Sequence, residues 1–346
     1  MKKPVGIVLG AIVLMGLIVL WNLFGPTVKA PEKDGYLYVK TGTDYPALKS
    51  LLKAKGVLNG FFFFDRVAER ADFTGNVKAG KYKIENGSST VSLVRMLKRG
   101  RQEPVRFTIT KLRTVQDLAA KMGKNLEQDS AASLAVLKDV SFLKTLGLDT
   151  NTVMTAVIPN TYNINWTNTP KEVLTRLKQE SEIFWNKKRE QQLDVVGLTK
   201  DQAYILASIV EEETNSKKDK PIIASVYINR VNKGMRLEAD PTVKFAMKNF
   251  GLKRILYGHL KYPSPYNTYQ NTGIPPGPIC TPSINTIDAV LAAPKTDFIF
   301  FVADPSLDGS SIFAATYAEH KLNAKAYQNA LDAYLIKKNQ TNKTVE

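Results

Sequence analysis

Residues 199–214 read Thr199-Lys-Asp-Gln-Ala-Tyr-Ile-Leu-Ala-Ser-Ile-Val-Glu-Glu-Glu-Thr214. Thr199 and Gln202 have the spacing of a capping box, which opens a helix by satisfying its first free N–H groups. At about 100° per residue, with Leu206 at zero, Ala203 falls near ~60°, Ile209 near ~−60°, Val210 near ~40° and Glu213 near ~−20°. Glu211 and Glu212 fall near ~140° and ~−120°, off that stripe. Glu213 is therefore a carboxylate on the apolar face of a core helix. A carboxyl held against apolar neighbours has a raised pKa and can donate a proton near neutral pH, as a general acid for glycosidic cleavage must. Periodicity alone leaves a second reading open, in which the helix has left the core and three solvated glutamates end it.

The pattern continues outward. Asp219 to Val231 forms a second core-like helix stopped by Gly234, with Asn229 and Arg230 near its end. Asp240-Pro241-Thr242 starts a third, and Asp240 reads first as an N-cap. A general-base role for Asp240 needs a second carboxylate at fixed separation across a sugar ring, which spacing does not supply. Residues 257–285 form a long proline-rich loop carrying Tyr266, Asn267, Thr268, Tyr269, Pro275 and Pro276. Such a stiff aromatic and polar surface suits carbohydrate, whose rings stack and whose hydroxyls need partners. Phe298–Val302 reads as a buried strand, Ile312–Ala314 as its partner, and Tyr317–Tyr334 as a closing helix. Together, 166–336 make a mixed α+β domain, and 337–346 a polar, disordered tail.

Upstream, 36–104 reads as strand, helix, helix, strand and a further helix ended by Gly100, a small α+β module. Thr43 and Ser88 or Ser89 are the expected caps. Residues 105–165 follow as a connecting α+β segment, with a strand at 104–110, a helix opened by Thr114, helical residues 129–146 and an irregular link at 158–162. Thr169-Pro170 starts a helix expected to run to about residue 190. At the N-terminus, Lys2 and Lys3 precede an uncharged run from Val5 to Phe24. At about 1.5 Å per residue that run spans a bilayer core of about 30 Å. It exceeds the roughly 7–15 apolar residues of a cleaved secretory signal. The nearest small-x-small site, Val28-Lys29-Ala30, is followed by Pro31. Residues 1–24 are thus expected to be a cytoplasmic stub and retained transmembrane anchor, and 25–35 a linker. Lysines on the short side place the remainder outside the cytoplasm, at the cytoplasmic (inner) membrane.

The chain has 346 residues, 48 Lys+Arg against 32 Asp+Glu, and a formal net charge of +16. One cysteine and two histidines exclude an intrachain disulfide, a multi-Cys zinc site and a His-rich metal centre. Extracytoplasmic placement argues against nucleic acid as the acidic partner. Anionic lipid and a carboxylate-bearing cell wall remain. No cofactor is expected.

These segments together resemble the endolytic murein transglycosylase, or YceG-like, family. The resemblance rests on Ala207-Ser-Ile-Val-Glu-x-Glu213-Thr214, Ser225-Val-Tyr-Ile-Asn-Arg230, Gly234-Met-Arg-Leu237, Asp240-Pro-Thr-Val243, Tyr266-Asn-Thr-Tyr269 and Gly273-Ile-Pro-Pro-Gly-Pro278. Weaker matches are Lys78-Ala-Gly-Lys-Tyr82 and Ile158-Pro-Asn-Thr-Tyr162. It implies endolytic cleavage of the MurNAc–GlcNAc β-1,4 bond, leaving 1,6-anhydromuramoyl ends, on nascent strands as a terminator of elongation. It also implies Glu213 as the catalytic acid and then base, a LysM-like unit at 36–104, and partnership with glycan polymerases and transpeptidases. Substrate contacts are expected from Glu211, Asn229, Arg230, Asp240, Thr242 and the loop residues above. Ser311 departs from the family's Gly-x-His-x-Phe pattern, and Lys321 replaces a common asparagine after His320, which is read as structural. The rivals are a hydrolytic muramidase using Asp240 or Glu211 as second carboxylate, and a non-catalytic wall-binding scaffold.

Overall fold

A computed structural model describes residues 3–343, with side chains from 6 to 336. Lys2 and residues 344–346 of the expected tail lie outside the described residues. The protein is mixed α+β and divides into two compact units. Unit 1 comprises 1–107, 121–130 and 161–170, and unit 2 comprises 108–120, 131–160 and 171–346. The segment 105–165 is thus shared between them.

Unit 1 begins with α1 (Lys3–Phe24), whose stretch Gly6–Phe24 is unburied and long and apolar enough to cross a membrane. Beyond it lie β1 (Tyr36–Val39), α2 (Tyr45–Ala54), α3 (Phe62–Arg70), β2 (Gly80–Lys83) and α4 (Thr90–Arg99). β1 and β2 pair antiparallel, with Tyr36 opposite Lys83 and Val39 opposite Gly80. Leu37, Val39, Leu48, Leu52, Phe64, Phe73, Tyr82 and Leu97 fill the core. Ser89 caps α4 by accepting from the Ser92 N–H, and Gly100 ends it at a positive φ of 64°. Asp44, not Thr43, caps α2 by accepting from the Ala47 N–H. The Thr43 hydroxyl instead donates to the Lys40 carbonyl.

The expected linker 25–35 is sewn into this unit. The Val28 N–H donates to Ser88 O at 3.0 Å, Gly87 N–H to Val28 O at 2.8 Å and Lys29 N–H to Val57 O at 3.0 Å. The Val28 side chain is buried in the core. Backbone polar groups beside an apolar core must pair, which fixes this segment.

β3 (Val105–Thr108) pairs with β4 (Thr161–Ile164), where an irregular link was expected. Thr-Tyr-Asn-Ile alternates exposed and buried, a short strand hidden behind Pro159 and Asn160. α5 (Val115–Asn125) opens at Thr114, which exchanges hydrogen bonds with Asp117. The helical stretch 129–146 breaks into α6 (Ser130–Leu137) and α7 (Val140–Thr145), because Asp139 caps the second. Asn186 likewise divides the expected long helix into α8 (Pro170–Phe184) and α9 (Lys187–Val196) by accepting from the Arg189 N–H.

Unit 2 is organised around α10 (Lys200–Glu213), whose capping box between Thr199 and Gln202 is formed. Every residue from Ala203 to Val210 is buried, so the helix is enclosed on all sides rather than along one stripe. Around it stand α11 (Asp219–Asn232), α12 (Asp240–Ala246) and α13 (Ile284–Leu291). The Tyr204 hydroxyl donates to Val157 O at 2.5 Å, and the Ile279 N–H to Ser208 Oγ at 3.0 Å. β5 (Phe300–Ala303) and β6 (Ser311–Ala314) pair antiparallel, with Phe301 opposite Phe313. β5 is half-exposed rather than buried, because its phenylalanines line a cleft. α14 (Tyr317–Lys343) continues through 337–343. Its Lys, Gln and Asn residues carry no proline or glycine to end it.

Candidate active site

The three glutamates at the end of α10 have three different environments. Glu211 accepts from Lys220 Nζ at 3.1 Å, Ser283 Oγ at 3.0 Å and the Thr286 hydroxyl. Burial alone would raise its pKa, but these bonds and the Lys220 charge outweigh it and hold the carboxyl below the usual range. Glu212 meets Lys111 Nζ at 2.9 Å and Arg113 Nη2 at 3.1 Å. Burial opposes, but both cations together keep this carboxyl low as well. Glu213 has no bonded cation among the described residues. Its Oε1 accepts from the Tyr227 hydroxyl at 2.7 Å. Burial pushes its pKa up to about 7, and the Asp240 carboxylate adds to the rise. The Tyr227 hydrogen bond and Lys244 pull it down by less.

Position explains the difference. The Thr214 backbone is extended and ends α10, so Glu213 is its last residue. α11 returns alongside and places the buried Tyr227 hydroxyl on that carboxyl. The Tyr227 ring packs edge-on against Phe301 at 5.9 Å. One turn further along α11, Arg230 spends its guanidinium on structure. Nε donates to Ile299 O at 2.7 Å, and Nη1 to Leu237 O at 2.9 Å and Glu238 Oε2 at 3.1 Å. It thereby ties the turn before α12 to the strand β5.

The cleft so formed has a volume of about 390 Å3 and is lined by Glu213, Arg230, Glu238, Asp240, Tyr269 and His320, with Phe300, Phe301 and Tyr317. Asp240 is the first residue of α12 rather than its cap, since Ala239 precedes it. Its Oδ1 accepts from the Tyr269 hydroxyl at 2.7 Å. Burial, then the bond to Asp240, pushes the Tyr269 phenol well up, so it stays a donor. His320 stacks on Phe300 at 5.1 Å, and its Nδ1 is buried without a hydrogen-bond partner among the described residues. Burial and then the Arg230 charge lower its pKa, favouring the neutral ring. His320, read from sequence as structural, therefore belongs to the cleft wall. Among the described residues no set of His, Cys, Asp and Glu side chains is gathered as metal ligands.

Of the residues expected to touch substrate, Arg230, Asp240 and Tyr269 line the cleft with Glu213. The others do not, because internal bonds consume their polar atoms. Glu211 is occupied as described. Asn229 Nδ2 donates to Thr296 O at 2.7 Å and Phe298 O at 2.9 Å. Thr242 and Thr268 are buried and share a 2.9 Å hydroxyl contact. Asn267 is buried and staples the loop, donating to Leu260 O and Tyr262 O and accepting from the Tyr269 N–H. Tyr266 packs on Phe245 at 4.8 Å. Pro275 is buried and Pro276 half-buried in the turn before Gly277, where a Cβ would meet Asn151 O at 2.2 Å. Sequence reasoning missed Leu237, Glu238, Phe300, Phe301 and Tyr317 as cleft residues, and Tyr227 as the buried hydrogen-bond partner of Glu213. Ser311 lies on β6 and is not among the cleft-lining residues.

Relatives bear on this geometry. The chain is 29% identical over 340 residues to an endolytic murein transglycosylase of Bacillus subtilis, covering 92% of this chain and 91% of that one. It is 25% identical over 327 residues to the endolytic murein transglycosylase of Streptococcus pneumoniae, covering 84% of this chain but 58% of that longer protein. A crystal structure of a YceG-like protein from Listeria monocytogenes superposes with a TM-score of 0.54 at 26% identity, covering 83% of this chain and 97% of that one. The family model described as the YceG-like family matches residues 37–326, most of the sequence and all of the cleft, and the chain belongs to that family.

Proposed function

We propose that the chain is an endolytic murein transglycosylase that cleaves the MurNAc–GlcNAc β-1,4 bond of peptidoglycan with Glu213 as sole acid and base. The observation that carries this is the contrast within α10. Glu211 and Glu212 are bonded to cations and stay ionised, whereas Glu213 faces an open cleft with its pKa raised to about 7. A neutral carboxyl at working pH can protonate the glycosidic oxygen as the C1–O4 bond breaks. The resulting carboxylate then takes the proton of the muramoyl 6-hydroxyl while O6 bonds to C1. Glu213 ends protonated again and no water is consumed. The Tyr227 hydroxyl steadies the carboxylate between the two steps.

In the same reading, Asp240, Tyr269 and His320 contact the sugar, and Arg230 positions the cleft wall. The order β1-α2-α3-β2 with one antiparallel pair supports a LysM-like wall-binding role for 36–104. α1 anchors the chain in the cytoplasmic membrane with both units outside, where nascent strands are the substrate. Asp240 in the same cleft favours one rival, hydrolysis by two carboxylates. Mass spectrometry of glycan digested by the full chain separates the two. Anhydromuramoyl ends are expected, and reducing muramic ends, heavier by one water, would overturn the lytic mechanism.

A further inference from the structure

A second pocket, in unit 1, is strongly cationic. It has a volume of about 330 Å3 and is lined by Lys83, Arg95, Arg99 and Arg101, with the hydroxyls of Ser88 and Ser92. Glu85 is the carboxylate on its rim. All four cations are exposed, and none makes an ion pair among the described residues. Arg95 and Arg99 stand one turn apart on the same face of α4, and both line the pocket. Guanidinium forks match phosphate oxygens bidentately.

The place of the pocket in the fold selects the ligand. α1 packs against α4, and the chain leaving α1 at Phe24 is fixed to the pocket wall within four residues, where the Val28 N–H donates to Ser88 O. Thr27 and Thr90 add a 2.9 Å hydroxyl contact at the start of α4. With the anchor and its exit stitched in this way, the pocket stays within reach of the surface that α1 enters. Unpaired cations held beside a bilayer attract anionic lipid.

We propose that this pocket is a binding site for the phosphate headgroups of anionic lipids in the membrane that α1 enters. The proposal rests on α1 being an anchor, and it adds to the glycan chemistry a site that aligns unit 1 on the membrane. The binding is non-covalent, through the two arginine forks, with the serine hydroxyls donating to the remaining phosphate oxygens.

The test uses the full chain in detergent, with native mass spectrometry to count retained phosphatidylglycerol against phosphatidylcholine. Wild type should retain phosphatidylglycerol preferentially, and inorganic pyrophosphate should compete weakly because it lacks the acyl chains. Arg95→Gln with Arg99→Gln should weaken phosphatidylglycerol retention about thirtyfold. Lys217→Gln with Lys218→Gln, the same charge loss on exposed residues of unit 2, should leave it unchanged. Both arginines are exposed and unbonded, so the double variant should unfold at the wild-type temperature, which is measured alongside. Equal retention by the arginine variant, or equal loss in the lysine control, overturns the site. So does an arginine variant that keeps lipid but loses binding to isolated peptidoglycan, which would assign the pocket to the wall. Flotation with phosphatidylcholine vesicles reads the anchor separately. A chain that fails to float refutes the anchor and the proposal together, whereas one that floats but ignores headgroup charge refutes the pocket alone.

Discussion

Replacing Glu213 by glutamine should stabilise the fold, and the gain should grow with pH. The carboxyl has an ordinary value of 4.5 and is pushed up to about 7 in the native cleft, first by burial and then by Asp240. Below about pH 4.5 it is protonated in both folded and unfolded chains and contributes no difference. Between about 4.5 and 7 the unfolded chain releases this proton while the folded one keeps it, so wild-type stability falls as pH rises. Above about 7 the full penalty is in place. The gap corresponds to about 3 kcal/mol, and water at the cleft mouth reduces it to about 2–3 kcal/mol. Glutamine has nearly the same shape, and its amide oxygen still accepts from Tyr227. The assay is urea unfolding of the full chain in detergent at pH 4, 6 and 8, followed by fluorescence, with the buried Trp185 reporting on unit 2. The two midpoints should coincide at pH 4 and separate progressively to pH 8, with the variant higher. A separation independent of pH, or a variant less stable at pH 8, would refute the electrostatic account of the site.

Neighbours of Glu213 should move the alkaline limb of the pH–rate profile in opposite directions. Asp240→Asn removes a charge that raises the Glu213 pKa and should shift the limb down, whereas Tyr227→Phe removes a bond that lowers it and should shift the limb up. Parallel shifts would contradict the arrangement. Glu212→Gln leaves Lys111 and Arg113 without their shared carboxylate and should cost about 1–2 kcal/mol in urea unfolding while glycan cleavage continues. Asn267→Ala strands the Tyr262 carbonyl and the Tyr269 N–H and leaves Leu260 O with its Gln270 bond alone, so it should cost about 2–4 kcal/mol and slow cleavage through displacement of Tyr269.

Much of this site was legible in residues 199–214, because a capping box is a local device and helical phase then follows. The reason Glu213 stands apart was not. The wheel contrasted a buried stripe with a solvated back, yet α10 is enclosed all round. What distinguishes the glutamates is which cations reach them, and Lys111, Arg113 and Lys220 come from other segments. Tyr227 was hidden for a related reason. Its ring is core, as the spacing says, and only packing against α10 shows that its hydroxyl ends on a carboxyl. In the loop 257–285, polar residues mark both a ligand surface and a self-bonded turn, and Asn267 and Thr268 prove to be the latter while Tyr269 reaches the cleft. The upstream module was readable because its turns, caps and alternating strands are local. β4 was missed because four residues give little periodicity, and the breaks at Asp139 and Asn186 because side-chain caps there override an otherwise continuous helical pattern.

The central claim is that one carboxyl, Glu213, performs both proton transfers. Its most direct test is the rate at which purified full-length Glu213→Gln cleaves isolated glycan strands, beside wild type and with folding checked by the urea series. A glutamine neither donates the proton to the leaving oxygen nor accepts one from the 6-hydroxyl, so the rate should fall by at least about a hundredfold. Anhydromuramoyl ends should disappear with it. Cleavage by the glutamine variant at the wild-type rate, with anhydro ends still formed, would contradict the account.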